Sequence, residues 1–414
     1  MPKPQINSNR LMRTLEALGR IGETPEGMQR IAFSPADLEG RRLVMQLMAE
    51  AGLHARVDTA ANMVGRVEGS VDGLPAIAIG SHTDTVPSGG KYDGALGVLG
   101  AIECVRALKD AGARLRHPIE VLDFTNEEGT RFRRWLYGSR AVAGKLLPED
   151  LTVVDGEGVF IGRRLKDVGG DIDRIHMSKR APKEFCAYLE LHIEQGPTLH
   201  QTSVPVGVVT AITGRIALEV AVKGFANHAG TTPMKGRRDA LVAAAHVVQA
   251  VGAIALRQEA CRVGTVGMIK AHPGAENVIP GLVEMSVEFR DTDESKMRLA
   301  EQILRQTCRD IGVESDTEIE VHRLGVTQPK PMSERVREIT KVAAKSLGFR
   351  ASDLPSGAGH DAQSMAELCD VGMIFVPSVD GVSHSPREYS TPEACANGAN
   401  VLLETLLAAD EAYE

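Results

Sequence analysis

Aromatic residues make up only 4% of the 414-residue chain, with a single tryptophan, so the stacking platform that single-stranded nucleic acids require is missing. Excess positive charge is missing too. The formal net charge is −8, and short basic pairs such as Arg133-Arg134 and Arg237-Arg238 stand among acids, which reads as solvated surface and argues against a polyanionic partner. The six cysteines, Cys104, Cys186, Cys261, Cys308, Cys369 and Cys395, show no C-x-x-C spacing, which excludes a zinc knuckle and a disulfide framework and fits a reducing compartment. No run of about 18 apolar residues occurs, and Met1-Pro2-Lys3-Pro4 leads into no apolar stretch of the signal-peptide kind, so the expectation is a soluble, cytoplasmic protein without a membrane partner. Neither a G-x-S-x-G elbow nor an evident Cys-His pairing is present, which argues against nucleophilic catalysis. Internal repeats and low-complexity segments are absent as well.

What is present is an average globular composition, 43% hydrophobic and 25% charged, over a length too great for one ordinary core. An amphipathic helix is expected at 6–18. Ser34-Pro35-Ala36-Asp37-Leu38-Glu39 then supplies a capping Ser and a Pro at the first helical position, opening a helix to about Ala51. Strands are expected at 55–58, 63–67 and 76–81, a helix at 94–111 and a strand at 119–124, the alternation of a layered α/β domain. Between 212 and 326 the order becomes strand, helix, strand, strand, helix, strand (215–224, 239–257, 262–271, 282–291, 294–312, 317–324), the split ferredoxin-like unit. A helix at 333–347, a loop at 356–361 and a strand at 373–376 return to α/β character. The chain is therefore expected to be a discontinuous α/β domain, 1–211 and 327–414, interrupted by an α+β insertion at 212–326.

Four segments carry candidate chemistry. Gly80-Ser81-His82-Thr83-Asp84 follows an apolar strand, where α/β folds place their sites, and a glycine-rich loop then delivers Asp93. His82 and Asp84 are two apart, so on an extended segment the carboxylate can orient the imidazole, and the two oxygens of Asp93 allow it to bridge two cations. The alternative reading of His82 and Asp84 is a plain hydrogen-bonded pair in a loop. Adjacent Glu127 and Glu128, after the strand ending at Phe124, would repel unless a cation sits nearby; with a metal, one ligates while its neighbour takes a proton from water. His192 follows an alternating strand pattern, and His384 lies in a loop after the last apolar strand; each alone has an alternative as a structural histidine. The five donors contain no sulfur, which suits zinc, manganese or cobalt, with His82, Asp93 and His192 on one ion and Asp93, Glu128 and His384 on the other.

These segments resemble a known group. GSHTDTVPSGGKYDG, FTNEEGTRF, LHIEQGPTL, HAGTTPM, AENVIPG, FRDTD, SGAGHDA and SVDGVSHSP are similar, in that order, to the signature segments of the hydantoinase/carbamoylase amidases of the di-zinc aminoacylase and carboxypeptidase superfamily. The resemblance covers about residues 30–390. It implies a di-metal peptidase-like catalytic domain with two divalent metal ions per subunit, Glu127 as general base and Asp84 as the carboxylate orienting His82. It also implies that the inserted domain is a lid that carries a homodimer interface, with His228 reaching the partner subunit's site to stabilise the oxyanion. Arg290 would grip the substrate carboxylate with Asn277 assisting, Gln195 would contact the ureido group, and Gly357 and His360 would lie on a loop giving backbone contacts. Asp361 either caps the following helix or touches substrate. The implied reaction is hydrolysis of an N-carbamoyl-L-amino acid or related ureido acid to amino acid, ammonia and carbon dioxide. Allantoate hydrolysis, aminoacylase or dipeptidase activity, and an inactive small-molecule-binding homologue are the alternatives.

Overall fold

Four apolar strands, buried along nearly their whole length, form the centre of the larger unit of this computed structural model, which describes residues 3–414. Asp370–Val376, Phe185–Ile193, Ala76–His82 and Ile119–Phe124 lie side by side in that order, all parallel. Such strands need continuous apolar runs because both faces are covered. Antiparallel strands extend the sheet on each side: Met63–Val67 and His54–Val57 beyond one edge, Val206–Ile212 beyond the other. The helices Ser8–Gly19, Pro35–Ala51, Ala95–Asp110 and Pro392–Ala412 share one apolar cluster with the sheet. The helix at Pro35 starts as its sequence requires, with Ser34 Oγ accepting the Asp37 N–H at 3.1 Å, a cap that contributes about 1 kcal/mol.

The smaller unit spans Ala211–Pro331. Its four-stranded antiparallel sheet has the order Val263–His272, Leu282–Asp291, Gly214–Lys223, Glu318–Thr327, which is the split strand–helix–strand order of a ferredoxin-like fold. Helices Ala240–Leu256 and Glu294–Ser315 pack with that sheet around Leu218, Val220, Val247, Phe289, Met297 and Leu304. The strand Gly214–Lys223 alternates buried and less buried residues, as a sheet covered on one face must. This unit runs past Thr327 to Pro331 because Lys330 and Pro331 pair back onto Ile212 and Ala211.

Several elements do not follow from the sequence reading, among them two strands and the last helix. Val206–Ile212 and Ala351–Ser356 are strands, and the chain closes with the long helix Pro392–Ala412. Thr391 accepting the Ala394 N–H, with Pro392 behind it, is an ordinary helix start, but no charged stripe makes the apolar segment beyond it stand out.

Candidate metal centre and active site

The carboxyl ends of all four parallel strands feed one place. His82 is the last residue of its strand; Glu127 and Glu128 follow Phe124; His192 is next to last in Phe185–Ile193; His384 follows Val376. Asp93 comes from the loop before helix Ala95–Asp110 and joins the two groups. In the first, His82, Asp93 and His192, and in the second, Asp93, Glu128 and His384, the candidate ligand atoms all lie within 4.8 Å of one another. The two oxygens of Asp93 divide between them. Oδ1 is 3.1 Å from His192 Nε2 and 3.7 Å from His82 Nε2, while Oδ2 is 3.3 Å from His384 Nε2. His384 Nε2 is 3.6 Å from Glu128 Oε1.

The imidazoles are held from behind. His82 Nδ1 is 3.0 Å from the Asp84 main-chain oxygen and His192 Nδ1 is 2.9 Å from that of Ile193, so in both rings Nδ1 donates and Nε2 is left as the ligand atom. This corrects the role expected of the Asp84 carboxylate, which is 3.8 Å from the His82 ring. Its oxygens instead accept the main-chain N–H groups of Glu127 and Glu128, at 3.1 and 3.2 Å, and fix the turn that carries both glutamates. Alternation along the strand does not decide the contact here, because the strand ends at His82 and the Asp84 carboxylate is taken up by the Glu127 and Glu128 main chain. Gly94 explains another constraint: its φ is 63°, and a Cβ there would lie 2.4 Å from the His82 ring. Asn126, Gln195 and His384, none of them glycine, also have left-handed backbones, with φ of 54°, 56° and 53°. Each such residue costs of order 1 kcal/mol, and their concentration here is typical of a site whose surroundings enforce geometry.

The electrostatics are those of an acidic pocket short of positive charge. Burial, reinforced by Glu128, Asp361 and Asp84, pushes Glu127 well above the carboxylate range; burial, reinforced by Asp93, does the same to Glu128. Burial and Asp37 lift Asp84 to about 8. Burial works to raise Asp93 also, but the His192 and His384 imidazoles facing it outweigh burial and hold it well below its usual value. Burial pushes His82 down to about 4, whereas at His192 the Asp93 carboxylate overcomes burial and raises it to about 9. Neutral imidazoles and anionic carboxylates are what hard and borderline cations bind, and such a charge would relieve the crowding among the acids. The residues fit a metal.

The remaining candidates fall in two places. In the larger unit, Gln195 donates from Nε2 to Asp93 Oδ2 at 2.7 Å, while its Oε1 is buried without a hydrogen bond. His360 is buried, bonded to Ser356 Oγ at 2.7 Å and packed edge-on against His192 with ring centres 4.4 Å apart; Gly357 is exposed on the same loop. Asp361 makes no capping hydrogen bond, and burial together with Glu190 pushes it well above its usual range. In the smaller unit, His228 and Asn277 lie on two neighbouring segments, joined by the short ladder Asn227–His228 with Val278–Ile279 and by the Ala229 N–H donating to the Asn277 oxygen. His228 Nδ1 accepts the N–H groups of Gly230 and Thr231, at 3.0 and 3.2 Å, which puts its proton on Nε2. Arg290 is bonded to Glu288, which also takes Arg215. The sequence reading missed Glu190, which accepts Ser81 Oγ and the Ala362 N–H, and Glu388, which accepts the Tyr92 and Asp93 N–H groups. Glu190 was visible as an acid inside an otherwise apolar strand; Glu388 had no such signal.

Residues 78–408 match the model of peptidase family M20/M25/M40. The chain is 42% identical to the N-carbamoyl-L-amino acid amidohydrolase of Geobacillus stearothermophilus, over 97% of this chain and 98% of the relative. It is 37% identical to the ureidoglycolate hydrolase of Arabidopsis thaliana, over 97% and 86%. Among solved structures, an amidase of the hydantoinase/carbamoylase family from Burkholderia multivorans superposes with a TM-score of 0.90 at 38% identity, covering 98% of each chain.

Proposed function

The chain belongs to peptidase family M20/M25/M40 and, within it, to the hydantoinase/carbamoylase amidases, and from that premise we propose that it hydrolyses N-carbamoyl-L-amino acids at a centre of two divalent cations. It is a hydrolase of non-peptide carbon–nitrogen bonds in a metal-dependent family. The observation that carries the two-cation reading is the division of Asp93, one oxygen toward His82 and His192 and the other toward His384. Zinc, manganese or cobalt would be held by His82, Asp93 and His192 and by Asp93, Glu128 and His384; the metal would supply Lewis acidity toward the scissile carbonyl and make the attacking water more acidic.

The chain's own groups account for the proton traffic and for binding. Glu127 is the base: its Oε2 lies 3.6 Å from His82 Nε2, and its burial among acids gives it the affinity to take a proton from the attacking water. As the bond between the carbamoyl carbon and the amino-acid nitrogen breaks, Glu127 passes that proton to the departing nitrogen. The carbamate left behind decomposes to ammonia and carbon dioxide. Asp84 keeps Glu127 and Glu128 in place through their main-chain N–H groups. Arg290, pre-set by Glu288, would take the substrate carboxylate with Asn277 assisting, Gln195 would contact the ureido group, and the loop of Gly357 and His360 would give backbone contacts. His228, with its proton on Nε2, is suited to donate to the oxyanion in the site of the partner subunit.

That last role requires a homodimer through the smaller, lid-like unit. Support for it comes from helix Ala240–Leu256, which exposes Leu241, Val242, Val248 and Leu256, and from the edge strand Val263–His272, which exposes Met268 and Ile269. A cytoplasmic setting is supported by six cysteines that are all unpaired; no helix among the described residues is long and apolar enough to cross a membrane.

The test is ammonia release by purified protein from N-carbamoyl-L-methionine, its D-isomer, allantoate and ureidoglycolate, beside methionine release from N-acetyl-L-methionine. The expected result is turnover of the L-carbamoyl substrate, lost after chelation and restored by zinc, manganese or cobalt. Turnover that survives complete chelation, or that is confined to the acetyl substrate, would overturn the reading.

A further inference from the structure

Glu388 belongs to neither donor group, yet its carboxylate joins the loops that carry them. Its Oε1 accepts two adjacent main-chain N–H groups, Tyr92 at 3.0 Å and Asp93 at 3.1 Å. Its Oε2 accepts the hydroxyl of Ser383, at 3.0 Å, in the residue before His384. Ser383 Oγ is also 3.1 Å from Asp93 Oδ2, so one hydroxyl proton sits between two carboxylates. The two loops are nearly three hundred residues apart in sequence, and Glu388 is buried where they meet. Room for it is made by Gly90: a Cβ there would lie 2.1 Å from Glu388 Oε1 and 2.4 Å from its Cβ. Burying a carboxylate is costly, and a joint that only had to pack could be made with apolar side chains. A carboxylate that spends one oxygen on the Asp93 loop and the other on the His384 loop fixes the distance between them.

We propose that Glu388 is a positioning residue that sets the spacing of Asp93 and His384, and so tunes the affinity of the Asp93, Glu128 and His384 group for its cation. The inference rests on the two-cation reading above. Groups one step behind a metal's ligands typically change its affinity by about 10–100-fold when removed. The effect should be uneven. His82 and His192 are held by their own strands and by main-chain oxygens, so the group they form with Asp93 depends less on Glu388.

The experiment is calorimetric titration of chelator-treated, full-length protein with zinc or manganese chloride, together with melting temperatures before and after metal addition. The native protein should take up two ions. Glu388→Ala should weaken one of the two by about 10–100-fold and change the other less. Gly90→Ala, which leaves the carboxylate in the chain but fills its place, should do the same. Glu388→Gln keeps an oxygen for the Tyr92 and Asp93 N–H groups and should recover most of the affinity. Glu388→Gln should keep the metal-free melting temperature near native, whereas Glu388→Ala, which leaves buried N–H groups without their acceptor, and Gly90→Ala, which crowds Glu388, should lower it; in all three the further rise on adding metal should shrink in step with affinity. Two ions bound with native affinity by both Glu388→Ala and Gly90→Ala would overturn the role of Glu388 and leave the two-cation reading standing. An equal fall of metal-free and metal-loaded melting temperatures would reduce Glu388 to a packing residue and overturn it too. A native protein that binds no cation would overturn the two-cation reading itself.

Discussion

At the carboxyl ends of the central strands Asp84, Asp123, Glu127, Glu128 and Asp361 are buried together, and burial pushes every one of them above the carboxylate range. In the smaller unit burial acts on Glu288 and Glu301 too, but Arg290 and Arg215 hold the first below that range, and Arg323 and Arg305 the second. The same residue type is thus neutralised in one region and left in deficit in the other. A fold gains nothing from buried acids whose burial outweighs their partners, as it does even for Asp123 facing Arg41 and Arg30; the deficit marks where an outside cation belongs, and stability is given up there for chemistry.

The comparison breaks most visibly at Glu127. Glu127→Gln should lower turnover of the carbamoyl substrate by about 10³-fold while leaving metal uptake intact, because it removes the base and no ligand. It should also leave the metal-free protein at least as stable as native, since one crowded acid has become neutral. Ammonia-release kinetics and thermal melting check both; activity within tenfold of native would remove Glu127 from its role.

A smaller effect is expected from pH. The folded Asp123 titrates near 7, above its unfolded value near 4, so its contribution to stability is full below pH 4 and drains away as pH rises through 7. Asp123→Asn cannot titrate, yet its amide oxygen can still accept from Thr83 Oγ1. Between pH 5 and 8 the metal-free variant should therefore lose less stability than native, by on the order of 2 kcal/mol. Urea unfolding of both proteins across that interval decides it, parallel pH profiles being the contrary result.

The smallest effect sharpens the other side. Glu301 is stabilising when ionised, so its contribution is present above its unfolded pKa and disappears as pH falls through the lower folded value. Because Arg305 and Arg323 are partly exposed, Glu301→Gln should cost only about 1 kcal/mol and leave the turnover rate of the carbamoyl substrate unchanged. A change in turnover without a change in stability would mean that the smaller unit's ion pairs are not merely structural.

Much of this architecture was readable in the chain because physics leaves strong marks there. Strands covered on both faces require runs such as Ala76-Ile77-Ala78-Ile79, and the smaller unit's two central strands, Gly214–Lys223 and Leu282–Asp291, alternate because one face of that sheet is open. Residues with ligand chemistry stand just past such runs, which is why His82, Glu128 and His384 draw notice without coordinates. What sequence does not carry is where a side chain goes once the strand has ended. Asp84 was close enough to His82 to suggest a direct bond, but the backbone swings its carboxylate to Glu127 and Glu128. Glu388 lies in a polar Ser-Pro-Arg-Glu stretch that reads as surface; only the return of the last strand beside His192 brings it behind Asp93.

The way the smaller unit is spliced in has a consequence for how such a molecule can change. Thr210 and Met332, where the chain leaves the larger unit and where it comes back, are linked by a main-chain hydrogen bond of 3.0 Å. To the folding of the host, everything between them is a loop already pinched shut at its neck, and lengthening such a loop adds little entropic burden. The insertion can therefore be swapped, trimmed or elaborated over evolutionary time without moving the four strands that hold the donors.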